Sequence, residues 1–344
     1  MAQPALPVGD LALVRERAQA PLRRLDGAHV LIAGASGLVG SWLLESLLDA
    51  QRTMMIDVSA TLLVRNTGAF AAAFPHLAAS PRVTIAEGDV RTFADPARGP
   101  THVIHAASAD TPARNVAAPD DVIEMIRRGT EHLLDYAERA GAARILLVSS
   151  GSVYEPQPRP ITEIDPTLAR GDTVAERFGV AKRNAERLGE SMSAARGVTI
   201  ARIFTLFGPR LPISGQFAVG QFLGDALAGR PVRVRGDGTP LRSYLYLADL
   251  AAWCWHLLDR GGEPRVYNVG ADFPVSISGV AAKVGALSDA PVQPAIGANP
   301  VPGALPPCYL PSVTRAREEL GLEAWTSLDD GLSRTWAWLN SNTR

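Results

Sequence analysis

The chain has 344 residues, enough for one large or two modest domains that each bury their own core. Hydrophobic residues make up 47% and charged residues 20%, and the formal net charge is -1, so the composition favours neither nucleic acid nor an anionic membrane as a partner. The two cysteines, Cys254 and Cys308, can form one bridge at most and lack the spacing of zinc ligands. No apolar run approaches the length of a membrane span, and the start lacks an uninterrupted signal core. We therefore expect a reduced, cytoplasmic protein without a metal site.

Short apolar runs alternate with stretches of helical periodicity through the first two thirds of the chain. This alternation is typical of βαβ units, which build a parallel, doubly wound sheet. Residues 1–26 carry Leu11, Leu13 and Val14 among arginines and glutamates, and they predict a helical segment that packs on the surface or frays. Residues 122–140 show helical periodicity. The predicted strands are 28–33, 60–65, 82–86, 101–106, 144–149 and 198–204.

Glycine and proline become frequent after Phe207, where they separate short elements. Such density marks connections more than layers, so the sequence predicts a smaller C-terminal lobe. Helical patterns return at 313–320 and 328–339. The expected organisation is an N-terminal segment 1–26, an α/β domain 27–207 to which 241–270 returns, and a second lobe made of 208–240 and 271–344.

A glycine-rich turn joins the first predicted strand to a helix. Glycine lets the backbone turn sharply and lets a pyrophosphate approach the amides at the helix N-terminus, where the macrodipole favours anions. The alternative, a plain tight turn, is less consistent with the apolar strand before it and the leucine-rich helix after it. The sequence therefore predicts a dinucleotide site. Its expected contacts are Gly34, Ser36, Gly37, Leu38, Val39 and Gly40.

The second predicted strand ends in a cation, where NAD-binding domains usually place an acidic residue. Arg65, followed by Asn66, suits the 2'-phosphate of NADP, so NADP is favoured over NAD unless Arg65 is only a solvated loop residue. Asp89 and Val90 follow the third strand and are predicted to bracket the adenine, with Asp89 accepting from its exocyclic amine.

Further motifs occur in a fixed order along the chain. They are Gly88-Asp89-Val90, His105-Ala106-Ala107, Gly129-Thr130, Ser149 to Tyr154, Gly208-Pro209, Gly236 to Leu250 and Tyr267 to Gly270. With the glycine turn, they make residues 27–339 resemble the extended short-chain dehydrogenases of the nucleotide-sugar epimerase and dehydratase family. The resemblance implies a Rossmann fold with a smaller C-terminal α/β substrate lobe, NAD(P) contacted also by Ala106 and Ala107, and a nucleotide diphosphate sugar as substrate. It also implies a homodimer through helices 122–140 and 178–195.

In that family a Ser or Thr after the fifth strand works with a Tyr-x-x-x-Lys motif on the next helix. The resemblance assigns these places to Ser150, Phe178 and Lys182, so the tyrosine is missing. The lysine ammonium lowers the pKa of the tyrosine phenol, which then takes a proton from a sugar hydroxyl as hydride leaves for the nicotinamide. Lys182 can still bind the nicotinamide ribose and Ser150 the substrate hydroxyl, so binding is expected to survive where chemistry does not.

Three interpretations of Phe178 are open. It is a deliberate exchange of tyrosine made to trap a bound complex, or it belongs to a natural enzyme with another acid–base group, or to a natural binding protein descended from an enzyme. We favour the first, because the exchange keeps the ring and removes only the oxygen. Tyr154 is a candidate substitute hydroxyl, although the resemblance places it beside the substrate.

The two residues after Ser150 bear on the reaction. Family members that dehydrate sugars carry Asp-Glu there, because eliminating water needs a second acid and base, whereas this chain has Gly151-Ser152. The sequence therefore favours a 4-epimerase or 4-ketoreductase of an NDP-hexose, inactivated by Phe178, over a 4,6-dehydratase. The alternative from a different class is a catalytically inactive protein that binds a nucleotide sugar or a dinucleotide.

The substrate contacts are predicted in part from the second lobe. Arg242 offers bidentate donors to the diphosphate, unless it forms a surface ion pair with a neighbouring carboxylate. Thr205 stands where many relatives have asparagine, and Phe217 and Val234 are expected to line the base pocket. The remaining predicted substrate contacts are Ser108, Ser150, Ser152 and Tyr154.

Overall fold

The computed structural model describes residues 2–108, 118–192, 196–215, 217–288, 290–303 and 305–342. A 3-10 turn, Gly151–Val153, lies among its regular elements. The helices are α1 (Val8–Arg17), α2 (Gln19–Arg23), α3 (Leu38–Met54), α4 (Thr67–Ala73), α5 (Pro75–Ala78), α6 (Pro119–Arg139), α7 (Val174–Glu190), α8 (Ala218–Leu227), α9 (Leu247–Asp259), α10 (Ile277–Gly285), α11 (Thr314–Leu320) and α12 (Leu328–Asn342). The strands are β1 (His29–Ala33), β2 (Ser59–Val64), β3 (Val83–Glu87), β4 (His102–His105), β5 (Arg144–Ser150), β6 (Val198–Ile203), β7 (Leu206–Phe207), β8 (Val232–Val234), β9 (Leu241–Arg242), β10 (Leu245–Tyr246), β11 (Arg265–Val269), β12 (Val275–Ser276), β13 (Pro294–Ile296) and β14 (Cys308–Tyr309).

Seven strands form the central sheet in the order β11-β6-β5-β4-β1-β2-β3. The pairings from β6 across to β3 are parallel. The strand order reverses between β1 and β4, and open α/β sheets bind ligands in the crevice outside the carboxyl ends of the strands at such a point. The predicted doubly wound Rossmann sheet is thereby confirmed.

The six predicted strands are present, and each differs from the prediction by no more than one residue at either end. Every residue of β1 and of β6 is buried, as expected for parallel strands that helices cover on both faces. The predicted helix 122–140 is α6, which begins three residues earlier, at Pro119. Proline is compatible with the first turn of a helix, so it does not delay the start.

Two compact units divide the chain. Unit 1 comprises Met1–Tyr154, Pro166–Ile203 and Ala248–Tyr267, and unit 2 comprises Glu155–Asp165, Phe204–Leu247 and Asn268–Arg344. The returning segment of unit 1 is thus shorter than the predicted 241–270, because β9 pairs with β12 and β14 of unit 2. The predicted segment 1–26 falls within unit 1.

The N-terminal segment packs within unit 1. Leu11, Val14 and Leu22 are buried. Helix α1 lies against α3, where Arg15 pairs with Asp49 at 2.5 Å. Of the two predicted alternatives, the packed helical segment is the one observed.

Unit 2 is built from small sheets, with strand orders β12-β9-β14, β13-β8 and β10-β7. Helices α8 and α10 pack against β8 and against each other. In neither unit do the described helices include one that combines the length and the hydropathy of a membrane span.

Candidate active site

The glycine turn after β1 lies at the carboxyl end of the sheet. Gly34 has a φ of +90°, and a Cβ built on it would lie 2.6 Å from the carbonyl carbon of Ala106 and from the amide nitrogen of Ala107. A Cβ on Gly40 would lie 2.2 Å from the Gly34 carbonyl oxygen, and Gly37 is the residue before the first turn of α3. The bare backbone and the open amides of that turn fit a pyrophosphate.

Replacing Gly34 with alanine is expected to lower the affinity for NAD(P)H more than tenfold, because the Cβ displaces either the turn or the chain at Ala106. The positive φ adds about 1–2 kcal/mol of backbone strain. Fluorescence titration with the reduced dinucleotide measures the affinity. Gly27→Ala is the matched control, since Gly27 has a φ of +78° but no atom within 4 Å of its Cβ position. Equal affinities of the two variants for NAD(P)H would contradict the assignment of the glycine turn after β1, here called the glycine cradle, as the pyrophosphate site.

The residues predicted for the adenine end follow β2 and β3. Arg65 is exposed, and the Asn66 side chain caps α4 by accepting from a backbone amide at 2.7 Å. The Asp89 carboxylate accepts from the backbone amide, Nε and Nη2 of Arg91 at 2.7–2.9 Å, and these bonds hold the pKa of Asp89 below its usual range. Val90 is buried. Arg91 was not predicted, and it orients the carboxylate assigned to the adenine.

The residues after β4 border the glycine turn. In the sheet register Ala33 of β1 lies opposite His105, the last residue of β4, and the Ala106 amide donates to the Ala33 carbonyl at 2.9 Å. Ala107 and Ser108 are half-buried. Ser108 is the last described residue before 118, so the structure describes the start of this predicted contact region and not its continuation.

The predicted serine and the lysine helix are brought together by a close backbone contact. Ser150 ends β5, and its Oγ accepts from the amide and the hydroxyl of Ser152 at 3.1 and 2.9 Å. Helix α7 lies against this turn, because a Cβ on Gly179 would be 2.1 Å from the Ser152 carbonyl oxygen. The helix itself begins with a capping box between Thr173 and Glu176.

Phe178 and Lys182 occupy the same face of α7, one turn apart. The Phe178 ring is half-buried against the core of unit 1. Lys182 is buried, and its Nζ donates to the Val148 carbonyl at 3.1 Å and lies 5.8 Å from the centre of the Phe178 ring. Burial lowers the pKa of Lys182 to about 8, against the attraction of Glu186. Ser150, Phe178 and Lys182 thus border one region of unit 1.

A buried polar network beside these residues was missed by the sequence analysis. Arg202 pairs with Glu186 through Nη2 at 2.7 Å and Nε at 3.0 Å, and its Nη1 donates to the Tyr154 hydroxyl at 2.7 Å. Ser149 Oγ donates to Glu186 at 2.5 Å. Tyr154, predicted to contact substrate, therefore has its hydroxyl engaged by Arg202. The available signal was an arginine inside a predicted strand whose other residues are mostly apolar.

The other predicted substrate contacts lie in unit 2. Arg242 is half-buried, with its guanidinium 5.5 Å from the Tyr309 ring centre, and no described carboxylate lies within ion-pair distance of it. The carbonyl of Thr205 accepts from the Leu245 amide at 3.0 Å. The arrangement of Arg242 is therefore not the surface ion pair considered as its alternative.

A cavity of about 250 Å³ in unit 2 is lined by one of the two residues predicted for the base pocket. Val234 lines it, together with Gln221, Phe222 and Arg235. Phe217 is 40% exposed at the start of α8 and is not among the described residues that line it. No three His, Cys, Asp or Glu side chains group as metal ligands in the described part of the chain.

The sheet order and the glycine cradle define a class, a Rossmann-fold protein of the extended short-chain dehydrogenase type. Residues 30–270 match the sequence model of the NAD dependent epimerase/dehydratase family. The chain belongs to that family.

Comparisons with individual proteins agree with this assignment. UDP-glucuronic acid decarboxylase 2 of Arabidopsis thaliana is 30% identical over 312 residues, which cover 89% of this chain and 67% of that protein. The structure of UDP-glucose 4-epimerase with UDP-glucose from Thermotoga maritima has a TM-score of 0.76 at 19% identity, covering 92% of this chain and 100% of that one. The dTDP-glucose 4,6-dehydratase DesIV of Streptomyces venezuelae, with NAD bound, has a TM-score of 0.75 at 22% identity over 91% and 97% of the two chains. At these identities the solved structures establish the fold alone.

Proposed function

We propose that this protein transfers hydride at the 4-position of an NDP-hexose, as a 4-epimerase or a 4-ketoreductase, and that Phe178 inactivates the chain as it stands. The observation that carries the proposal is the constellation on α7 and β5. The Lys182 Nζ is buried on the Val148 carbonyl, and Ser150 Oγ accepts from Ser152. Phe178 lies one turn before the lysine on α7, where the resemblance expects the tyrosine. The small Gly151 and Ser152 after the serine support epimerisation or reduction over dehydration.

Each residue of the constellation has a separate task in this proposal. Ser150 Oγ holds the substrate hydroxyl, and Lys182 binds the ribose next to the nicotinamide. Arg242 of unit 2 lies outside this constellation, has no carboxylate partner among the described residues, and is proposed to bind the diphosphate. The bound dinucleotide supplies a hydride acceptor or donor. The Phe178 ring covers the apolar side of the site but cannot exchange a proton.

We also propose that the dinucleotide is NADP, because the exposed guanidinium of Arg65 follows β2 where a 2'-phosphate would lie. Arg65→Glu is expected to weaken NADPH binding about tenfold or more, since it removes one charge-assisted contact and adds a repulsive charge. Titration with NADPH and with NADH measures both affinities, and NADH serves as the internal control. An equal loss for both dinucleotides would contradict the proposed role of Arg65.

A homodimer through the exposed faces of α6 and α7 completes the proposal. The predicted second helix was 178–195, of which 193–195 lie outside the described residues, and α7 ends at Glu190. Light scattering at working concentration is expected to give twice the chain mass of 36.5 kDa. A monomer at that concentration would remove the dimer from the proposal.

A second candidate reaction is favoured by the curated relative. UDP-glucuronic acid decarboxylase 2 acts, by its name, on a sugar acid. Oxidation of the 4-hydroxyl of UDP-glucuronic acid places a ketone β to the carboxylate, and such an acid loses carbon dioxide. The hydride step is the same in both candidates, so they differ in substrate and in carbon dioxide release.

Single-turnover absorbance at the reduced-nicotinamide band tests these proposals. The chain and its Phe178→Tyr variant are mixed with UDP-, dTDP-, CDP- and GDP-hexoses, with their 4-keto forms and with UDP-glucuronic acid. A signal with a hexose supports the first candidate, and a signal with UDP-glucuronic acid accompanied by carbon dioxide supports the second. Silence from both proteins, with tight binding of a nucleotide sugar, would replace both candidates with an inactive binding protein.

A further inference from the structure

Lysine is almost absent from this chain. The 34 lysine and arginine residues include two lysines, Lys182 and Lys283. Arginine cannot lose its proton under ordinary conditions, whereas lysine can when it is buried. Lys283 is exposed and pairs with Asp329 at 2.7 Å, while Lys182 is 7% exposed in the site. The one buried lysine, Lys182, therefore lies in the candidate site and is the cation there that is able to lose its proton.

The surroundings of Lys182 leave most of its bonding capacity open. An ammonium has three donors, and among the described residues the Val148 carbonyl is the hydrogen-bond acceptor that Nζ uses. The Phe178 ring, whose centre is 5.8 Å away, offers a cation–π contact and no acceptor oxygen. Two N–H bonds, or one N–H bond and a lone pair in the neutral amine, remain for water or a ligand.

The other hydroxyl and imidazole groups considered have hydrogen-bond partners of their own. The Tyr154 hydroxyl accepts from Arg202 Nη1 at 2.7 Å, which holds it at the Arg202–Glu186 pair. His105 of β4 bonds Thr130 through Nε2 at 2.9 Å, and burial, with the nearby charge of Lys182, lowers its pKa to about 3. His105 therefore stays neutral. Ser150 accepts from Ser152 and has no base of its own among these bonds.

Two described ionisable groups, Glu186 and His105, interact electrostatically with Lys182. Glu186 lies one turn further along α7, but its carboxylate is paired with Arg202 of β6 and approached by Arg183 at 3.3 Å. His105 faces it from β4 and is neutral. Because Glu186 is paired with Arg202, its carboxylate offsets the burial of the Lys182 amine only in part. Burial dominates and lowers the pKa of Lys182 to about 8.

We propose that Lys182 itself exchanges the substrate proton in this chain, through one water molecule near the place of the missing phenol oxygen. This inference rests on the proposed function and describes the slow turnover left to the chain with Phe178. A general base can act through one water, and such a water needs two to four polar partners. Lys182 Nζ, Ser150 Oγ and the sugar hydroxyl would be those partners.

The step balances with the oxidised dinucleotide as acceptor. The hydroxyl proton passes to the water, and a proton of that water passes to the neutral amine of Lys182, which becomes the ammonium. With the oxidised dinucleotide bound, the hydride on the same carbon would leave for it, and the carbon–oxygen single bond would become a carbonyl. Reduction of a 4-keto sugar runs the same transfers backwards and needs the ammonium.

A titration that does not depend on activity tests the amine directly. Protein labelled with 13C at lysine Cε gives two side-chain NMR signals, which Lys182→Arg and Lys283→Arg assign. We expect the Lys182 signal to titrate near pH 8, below the ordinary lysine value of 10.5. A Lys182 titration near 10.5 would overturn the inference whatever the kinetics show.

The pH dependence of the single-turnover rate is the second test. In the oxidation direction, the single-turnover rate of the chain is expected to rise with pH through a midpoint near 8 and then level off. Lys182→Arg keeps the positive charge but cannot accept the proton, so its rate is expected to fall by about 100-fold or more. Lys283→Arg on the exposed face of α10 is the matched control and is expected to leave the rate unchanged.

The outcomes separate the two levels of the proposal. If Phe178→Tyr turns over while the original chain is silent, or if the residual rate survives Lys182→Arg, the proposed function stands and the role of Lys182 falls. If neither protein transfers hydride with any substrate of the panel, the proposed function fails and this inference fails with it. A rate that is flat from pH 6 to 10 also overturns the role of Lys182.

Discussion

Replacing Phe178 with tyrosine is expected to raise the rate of hydride transfer by about 10²–10⁴-fold, the usual contribution of a positioned general acid or base. The physical reason lies in the spacing on α7, where Lys182 follows one turn later and faces the same ring. Its ammonium would lower the pKa of the new phenol, so that the phenolate form becomes accessible near neutral pH. Single-turnover absorbance with the substrate identified by the panel measures the change.

Phe178→Leu is the control for this experiment, because it changes the shape of the side chain without adding oxygen. Its rate should stay at or below that of the original chain. A rate for Phe178→Tyr within threefold of the original would contradict the assignment of position 178 as the proton-transfer position. The same pair of variants should bind the dinucleotide with equal affinity, since Lys182 is unchanged in both.

The second large effect is expected on stability. Arg202→Met removes the guanidinium that pairs with Glu186, whose side chain is fully buried. Breaking a buried ion pair by removing one partner lowers the free energy of unfolding by about 3–5 kcal/mol, because the remaining charge is left uncompensated. Ser149 and, at 3.3 Å, Arg183 would then remain as donors to the carboxylate. Urea unfolding of the two proteins measures the difference.

The double variant Arg202→Met/Glu186→Leu separates charge from packing. Replacing both partners with apolar side chains removes the unpaired charge, and such replacements are often neutral or stabilising. We expect most of the lost stability to return. A single variant that loses less than 1 kcal/mol would mean that solvent reaches Glu186 and that the network does not hold α7 to β6.

Much of the first unit could be predicted because its signals are local. Strands such as β1 and β6 are buried along their whole length and are mostly apolar in sequence, and the glycine turn follows β1 directly. Even the positions of Ser150 and Lys182 follow from motifs within one βα unit. Such patterns depend on neighbours in the sequence and not on the rest of the fold.

The partners of individual side chains could not be predicted in the same way. Tyr154 and Arg202 are 48 residues apart, and which group donates to the Tyr154 hydroxyl depends on how β6 packs beside the turn that follows β5. In unit 2 several strands have two or three residues, too short for a period-two pattern to be read. Val234 lines the cavity and Phe217 does not, a difference that depends on how these short elements of unit 2 pack.

The contact of Gly179 with the Ser152 carbonyl means that positions 178 and 179 differ in the substitutions they can accept. Under the proposed function, position 178 could lose or regain the phenol oxygen without moving the backbone, so an inactive chain would keep its scaffold and could return to activity in one step. Position 179 has no such freedom, because any side chain there would push α7 off the serine turn. A lineage that loses this glycine would lose the spacing itself, and no change at position 178 could restore it.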